Sequence, residues 1–431
     1  MLPILGASGG RGKRGLAQSS EPTYLVASMP TLADIHAARD RIRGGIVLTP
    51  CTPALAFADV VPGRLCVKLE NLQRTGSFKD RGSLNRLLAL SPEERRRGVV
   101  TASAGNHAQA VAYHCQRLGI PATVVMPEGT PLIKLSNARR YGARIVLSGA
   151  TISDAMVEAR RLEAEERLTM VHAFDDDLVI AGQGTVGLEL LEQVPDLTCV
   201  VVPIGGGGLI SGMAVALKES RPDIRVIGVE AEAAASALLS RKAHRIVHIE
   251  TAETIADGIA VKRIGERTFP LIERYVDDIV AVSEREIATA VYLLIERQKV
   301  VAEGAGAVPL AALLTGKVRT SPNDVTVMVL SGGNIDVNII ERIIDRGLVG
   351  EGRLAHLMVK VRDRPGELAR LTAIVAECGA NVLEIGHRRA FADIAVADVE
   401  IVMHLETRGR DHVEEIIQRL EAEGLRVEED I

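Results

Sequence analysis

Aromatic residues are almost missing from this 431-residue chain: 2% in all, with five Tyr, five Phe and no Trp. So few rings cannot build a platform on which nucleic-acid bases stack. The core must instead come from Val, Ile, Leu and Ala. No long run of one charge occurs, and the net charge is −5. That excludes the basic footprint of a nucleic-acid or anionic-membrane binder. The five cysteines, Cys51, Cys66, Cys115, Cys199 and Cys378, are scattered and form no C-x-x-C pair. They are read as reduced thiols of a cytoplasmic protein, with no metal site. No stretch reaches the roughly 18 apolar residues of a membrane span. Residues 1–28 lack an apolar signal core and are expected to be a disordered tail, or to precede a true start at Met29.

What is present is a regular alternation. Leu32, Ile35, Ala38 and Ile42 fall at helical spacing. Short apolar runs then alternate with helical patterns. The expected strands include 64–69, 98–102, 122–126, 144–147, 198–204, 225–230 and 325–330. These runs are continuously apolar, the mark of parallel strands covered by helices on both faces. The expectation is an α/β body of two lobes spanning residues 29–346. Residues 347–353, with three glycines in seven, suggest a linker. Residues 354–431 read as β-α-β-β-α-β, a ferredoxin-like unit.

Five motifs carry possible chemistry. Lys79 lies between a glycine-containing turn and a helix start, where an ammonium is disfavoured and a reactive amine suits the place. On spacing alone, a surface lysine at a turn explains it at least as well. Ser103-Ala104-Gly105-Asn106-His107 follows a strand and opens a helix, so its backbone N–H groups could hold a carboxylate; Ser103 as a plain helix cap is the alternative. Gly205-Gly206-Gly207-Gly208-Leu209, also between strand and helix, suits a phosphate. The same loop nearly fits a dinucleotide fingerprint, with Glu230 as the ribose-binding acid. Ser331 ends a buried strand, where a hydroxyl could meet a ring nitrogen. Glu303 precedes a small-residue helix start and could be only a cap charge.

Together these segments resemble the fold-type II pyridoxal-phosphate enzymes, and most closely the threonine dehydratases (threonine ammonia-lyases). The resemblance rests on nine segments in order: NLQRTGSFKDRG (71–82), SAGNHAQ (103–109), VIAGQGTVGLE (179–189), VPIGGGGLISG (202–212), VIGVE (226–230), TIADGIAV (254–261), VDDIV (276–280), EGAGA (303–307) and LSGGNID (330–336). It implies a tryptophan-synthase-β-like body. Lys79 would join the cofactor covalently and Phe78 would pack beside it. Gly205 to Leu209 would hold the phosphate, Asn106 the ring hydroxyl and Ser331 the ring nitrogen, with Glu303 nearby. Residues 103–107 would cradle the substrate carboxylate. The implied reaction turns L-threonine into 2-oxobutanoate and ammonia, and L-serine into pyruvate, as the first step of isoleucine biosynthesis.

Alternatives remain beside it. Serine racemases carry serine where this chain has Ala104. Threonine synthases share an SFKDRG-like motif, and Asp80 leans that way. Some relatives bind a metal at positions matching Glu230, Ala234 and 236, but Ser236 stands here, so no metal is expected. A sensor on an inactive enzyme body is the non-enzyme reading. The C-terminal unit resembles an ACT domain, with Pro365, Gly366, Glu367, Leu368, Asn381 and Val382 implied at an isoleucine or valine site. ACT pairing implies a homo-oligomer, dimer or tetramer.

Overall fold

The computed structural model describes residues 29–389 and 397–430; the expected tail, 1–28, lies outside them. The large lobe is built on a six-stranded sheet in the order Cys51–Pro53, Arg64–Leu69, Val325–Leu330, Cys199–Pro203, Arg225–Ala231, Asp278–Val282. All neighbours are parallel except the first strand, which pairs antiparallel at the edge. The small lobe is a four-stranded parallel sheet, Arg144–Leu147, Ala122–Met126, Val99–Ala102, Thr169–Met170. Its chain segment is inserted between two strands of the large sheet. Strands such as Cys199–Pro203 are buried along their whole length, which is why their sequence shows no alternation.

The third sheet is antiparallel: Asn381–Arg388, Asp398–Glu406, Leu354–Arg362, Arg426–Glu429. Two helices, Glu367–Glu377 and Arg410–Ala422, pack on one face around Leu371, Val375, Val413 and Ile416. This is the ferredoxin-like arrangement expected from the element order.

Two expectations need correction, and three strands were not foreseen. The linker at 347–353 is largely helical, because the helix Val337–Gly350 runs through its first four residues before Gly352 turns at φ +66°. Glycine spacing misled here: Gly347 lies flat against Tyr292, where an added Cβ would sit 2.6 Å from the ring. The helix expected over 287–299 starts at Glu284, capped by Ser283, and ends in a π-turn, Leu294–Gln298. The strands Cys51–Pro53 and Thr169–Met170 carry too short an apolar signal to be read beforehand, and Asp278–Val282 was not read as a strand although four of its five residues are apolar.

A buried charge cluster ties the large lobe to the helix Lys79–Leu88. Arg81 donates to Glu70 at 2.7 and 2.8 Å and to Glu189 at 2.6 and 2.8 Å. Lys68 donates to Glu189 at 2.6 Å and to the Thr49 carbonyl at 2.7 Å. Two cations and two carboxylates, all buried, thus satisfy one another. Gly82 and Gly182 meet backbone to backbone, since a Cβ on Gly182 would lie 2.6 Å from the Gly82 Cα. The lysine helix is therefore held rigidly against the helix Asp177–Gln193.

Candidate active site

Lys79 opens its helix from a loop laced to a second loop at the end of the strand Val325–Leu330. Phe78 N–H donates to the Ser331 carbonyl at 3.0 Å, and Asn334 donates to the Thr75 carbonyl at 2.7 Å. Ser77 bridges to Gly332. Lys79 and Ser331, both expected in the site, are thereby brought together from positions distant in the chain. The Lys79 Nζ donates to the Ala173 carbonyl at 2.9 Å and lies 5.0 Å from the Phe78 ring centroid. Burial pulls its pKa down to about 8, with the Glu303 carboxylate working in the opposite direction. Desolvation, more than the helix N-terminus, is what makes this amine available as a base.

The glycine loop faces the same space. Gly207 has φ +92° and caps the helix Gly208–Ser220, so its backbone favours glycine. A Cβ on Gly206 would stand 2.3 Å from the Phe174 ring, and one on Gly208 3.0 Å from the Phe174 backbone. The Thr268 hydroxyl donates to the Gly206 carbonyl at 2.7 Å and pins the loop. Leu209 turns its side chain into the large-lobe core, leaving only its main chain to the loop. This is a cradle of backbone at a helix N-terminus, walled by Phe174, one residue beyond the carbonyl that Lys79 contacts.

Ser103, Ala104, Gly105 and Asn106 line a half-open mouth, and a Cβ on Gly105 would meet nothing within 4 Å. Ser103 does not cap the helix; its hydroxyl accepts from Gly105 N–H at 3.2 Å. Only the main chain of His107 can serve a ligand. Its ring is buried, with Nε2 at 2.9 Å from the Val171 carbonyl, and desolvation lowers its pKa to about 3. The Asn106 amide donates to both oxygens of Glu303 at 2.9 Å and its carbonyl accepts from Asn334 at 2.8 Å. Glu303 is therefore no cap charge: its carboxylate makes no cap bond, and burial pushes its pKa up to about 7. Lys134 reaches across from the small lobe to Asp257 at 2.6 Å at the mouth.

The dinucleotide reading fails on Glu230. Its carboxylate accepts from Ala237 and Leu238 N–H, both at 2.8 Å, and is spent on a helix N-terminus. Sequence reasoning missed Phe174, Thr268 and Asn334. Phe174 lies in an irregular stretch and Thr268 opens the short helix Thr268–Tyr275, which had not been read from the sequence; Asn334 belongs to LSGGNID but had no role.

Comparison with known proteins agrees with this geometry. Residues 42–332 match the family described as pyridoxal-phosphate dependent enzyme. This chain belongs to that family. It is 48% identical to an L-threonine ammonia-lyase of Thermotoga maritima over 93% of this chain and 99% of the relative. Among solved structures, a T.th. threonine deaminase matches with TM-score 0.67 at 44% identity, over 71% of this chain and 99% of that one. Maize serine racemase matches with TM-score 0.70 at 36% identity, over 75% and 99%. Pyridoxal phosphate is the cofactor of this enzyme, and the residues fit it. They offer a side-chain-free cradle for the phosphate and a buried amine within reach of the same space. Among the described residues no group of three metal-ligating side chains occurs, no helix is long and apolar enough to cross a membrane, and the five cysteines are free.

Within the ACT-like unit, a cleft of about 320 Å³ is lined by Arg362, Asp363, Pro365, Gly366, Glu367, Leu368 and their neighbours. Asn381 and Val382 do not join it. They pair with Glu406 and Leu405, at the opposite end of the sheet from Arg362 and Asp398. Because Asn381–Arg388 runs antiparallel to its neighbour and starts at the far edge, the two groups of residues implied at the effector site lie at opposite ends of the sheet within one chain.

Proposed function

We propose that this enzyme dehydrates and deaminates L-threonine to 2-oxobutanoate and ammonia, and acts likewise on L-serine to give pyruvate. The observation that carries the reading is the convergence of Lys79, the glycine loop and Ser331 on one space. Pyridoxal phosphate, when bound, supplies an aldehyde that bonds the substrate amine and a conjugated ring that accepts the electron pair released at Cα. Gly205 to Leu209 would hold its phosphate and the Ser331 hydroxyl would face its ring nitrogen, a weak partner that would favour the unprotonated ring. Lys79, buried and tuned toward neutrality, removes the Cα proton. The main chain from Ser103 to His107 would orient the substrate carboxylate, and Asn106, held by Glu303, would contact the ring hydroxyl. Ala104 offers no hydroxyl to return a proton from the opposite face, which disfavours racemisation.

The same proposal places the reaction at the head of isoleucine synthesis in the cytoplasm, in a homo-oligomer of two or four chains, under control of isoleucine or valine. The ACT-like cleft supports the last part. It combines Asp363 and Glu367 with Arg362, Arg364 and Arg389 over an apolar lining that includes Val361 and Val399, which suits a branched zwitterion. The test is 2-oxo-acid release from L-threonine by the purified holoenzyme, with and without isoleucine. Turnover that isoleucine suppresses supports both parts. Turnover indifferent to isoleucine and valine removes the effector. No turnover with cofactor bound overturns the reaction.

A further inference from the structure

We propose that a second cavity, remote from the ACT-like cleft, binds a small apolar carboxylate that lacks an amine, of the 2-oxo-acid class, and bears on Lys79. The cavity, of about 240 Å³, lies where the helices Leu32–Ile42 and Asn106–Leu118 end beside the lysine helix. Arg41, Arg43 and Arg117 line it, over Ile42, Leu84, Leu88 and Leu118. No carboxylate is among its lining residues.

The charges do not cancel. Arg43 pairs with Asp40 at 3.2 Å. Arg41 donates to the Asn85 side-chain carbonyl, and Arg117 to the Gly45 carbonyl at 3.3 Å while lying 5.6 Å over the Tyr113 ring. Among the described residues neither Arg41 nor Arg117 has a carboxylate partner. Three helix C-termini, that of the lysine helix included, together contribute about one and a half negative charges, the last of them met by Arg95 on the Leu88 carbonyl at 2.8 Å. Three guanidiniums against that and Asp40 leave the cavity positive.

His114 supplies the second observation. It is fully buried, lines the cavity, and its Nδ1 has no hydrogen-bond partner. Such a group is costly to bury unless something satisfies it. Its other nitrogen, Nε2, lies 3.2 Å from the carboxylate of Asp80, the residue next to Lys79. Asp80 in turn accepts from the Thr75 backbone and hydroxyl at 2.9 and 2.8 Å, in the loop that leads to Lys79. Occupancy of the cavity is thus felt two contacts away from the catalytic lysine.

The lining selects the ligand. Guanidiniums take a carboxylate and the leucines a short alkyl chain. No lining carboxylate is there to pair with an ammonium, unlike in the ACT-like cleft, so the cavity favours the 2-oxo acid over the amino acid. The reaction's own 2-oxobutanoate has this chemistry; its identity as the physiological occupant rests on the function proposed above.

The test is calorimetric titration of the holoenzyme with 2-oxobutanoate while L-2-aminobutanoate, which has no β-hydroxyl to eliminate, fills the active site. One equivalent should bind per chain, at least tenfold more weakly in Arg41→Gln/Arg117→Gln, whose initial rate with threonine stays unchanged. Unchanged affinity in that variant, or displacement by equimolar inorganic phosphate or by excess L-2-aminobutanoate, overturns the site. Binding should shift the cofactor's visible absorbance in the wild type but not in His114→Gln; equal shifts break the link to Lys79. The titration requires no turnover, so loss of the threonine reaction and loss of this site are read separately.

Discussion

The side-chain amide of Asn106 donates to both carboxylate oxygens of Glu303 at 2.9 Å, across 197 positions of sequence. One residue comes from the small lobe and the other from the large, so the pair spans the cleft in which Lys79 lies. Burial nevertheless keeps the Glu303 pKa up at about 7, against an ordinary value of 4.5.

That shift sets a pH dependence. Between pH 4.5 and about 7 the folded cofactor-free protein keeps the Glu303 proton while the unfolded chain has lost it. Stability from this group is present at low pH and is lost as pH rises through that window, by up to about 1.4 kcal/mol per pH unit. Glu303→Gln should remove this part of the slope. Denaturant unfolding of both proteins at pH 5 and pH 7.5 checks it; parallel curves would refute the shift.

Gly206→Ala should cost cofactor affinity. Its new Cβ would meet the Phe174 ring at 2.3 Å. Overpacking of this kind costs about 1–3 kcal/mol, roughly fivefold to 150-fold if all of it falls on binding. Pyridoxal phosphate retained per chain after dialysis measures it. A smaller residue at the wall, Phe174→Leu in the same chain, should recover part of the loss, as expected for neighbours in contact.

Arg81→Met should destabilise the fold by about 3–5 kcal/mol, because it leaves Glu70 and Glu189 buried with Lys68 as their remaining cation. Arg81→Lys should recover only a minor part, since an ammonium cannot reproduce the fork to two carboxylates. Equilibrium unfolding in urea distinguishes these outcomes from a neutral swap.

Asp363→Ala should abolish the response to isoleucine while threonine turnover stays within about twofold. Asp363 holds Arg389 at 2.9 Å at the cleft edge, far in the fold from Lys79. Inhibition curves on wild type and variant decide it, and an unchanged curve would remove Asp363 from the effector site.

The parallel α/β body, the ferredoxin-like unit and the glycine loop were legible from residues alone, whereas the lysine and serine motifs gained their roles only through the resemblance to a known family. Each is written locally. A buried strand needs a continuous apolar run, and a backbone cradle needs glycine. What periodicity could not convey is which irregular segments close the site. Phe174 and Thr268 act through contacts with a loop dozens of residues away, and nothing in their own neighbourhoods marks them. The sequence likewise suggested Glu303 as a cap and Glu230 as a ribose acid. Only the tertiary structure sends one to Asn106 and the other to a helix N-terminus. The chemistry was determined along the chain, by residue types that local backbone geometry demands. The partners and the proton affinities were decided in three dimensions, because desolvation and charge pairing depend on what distant segments bring to the same few ångströms.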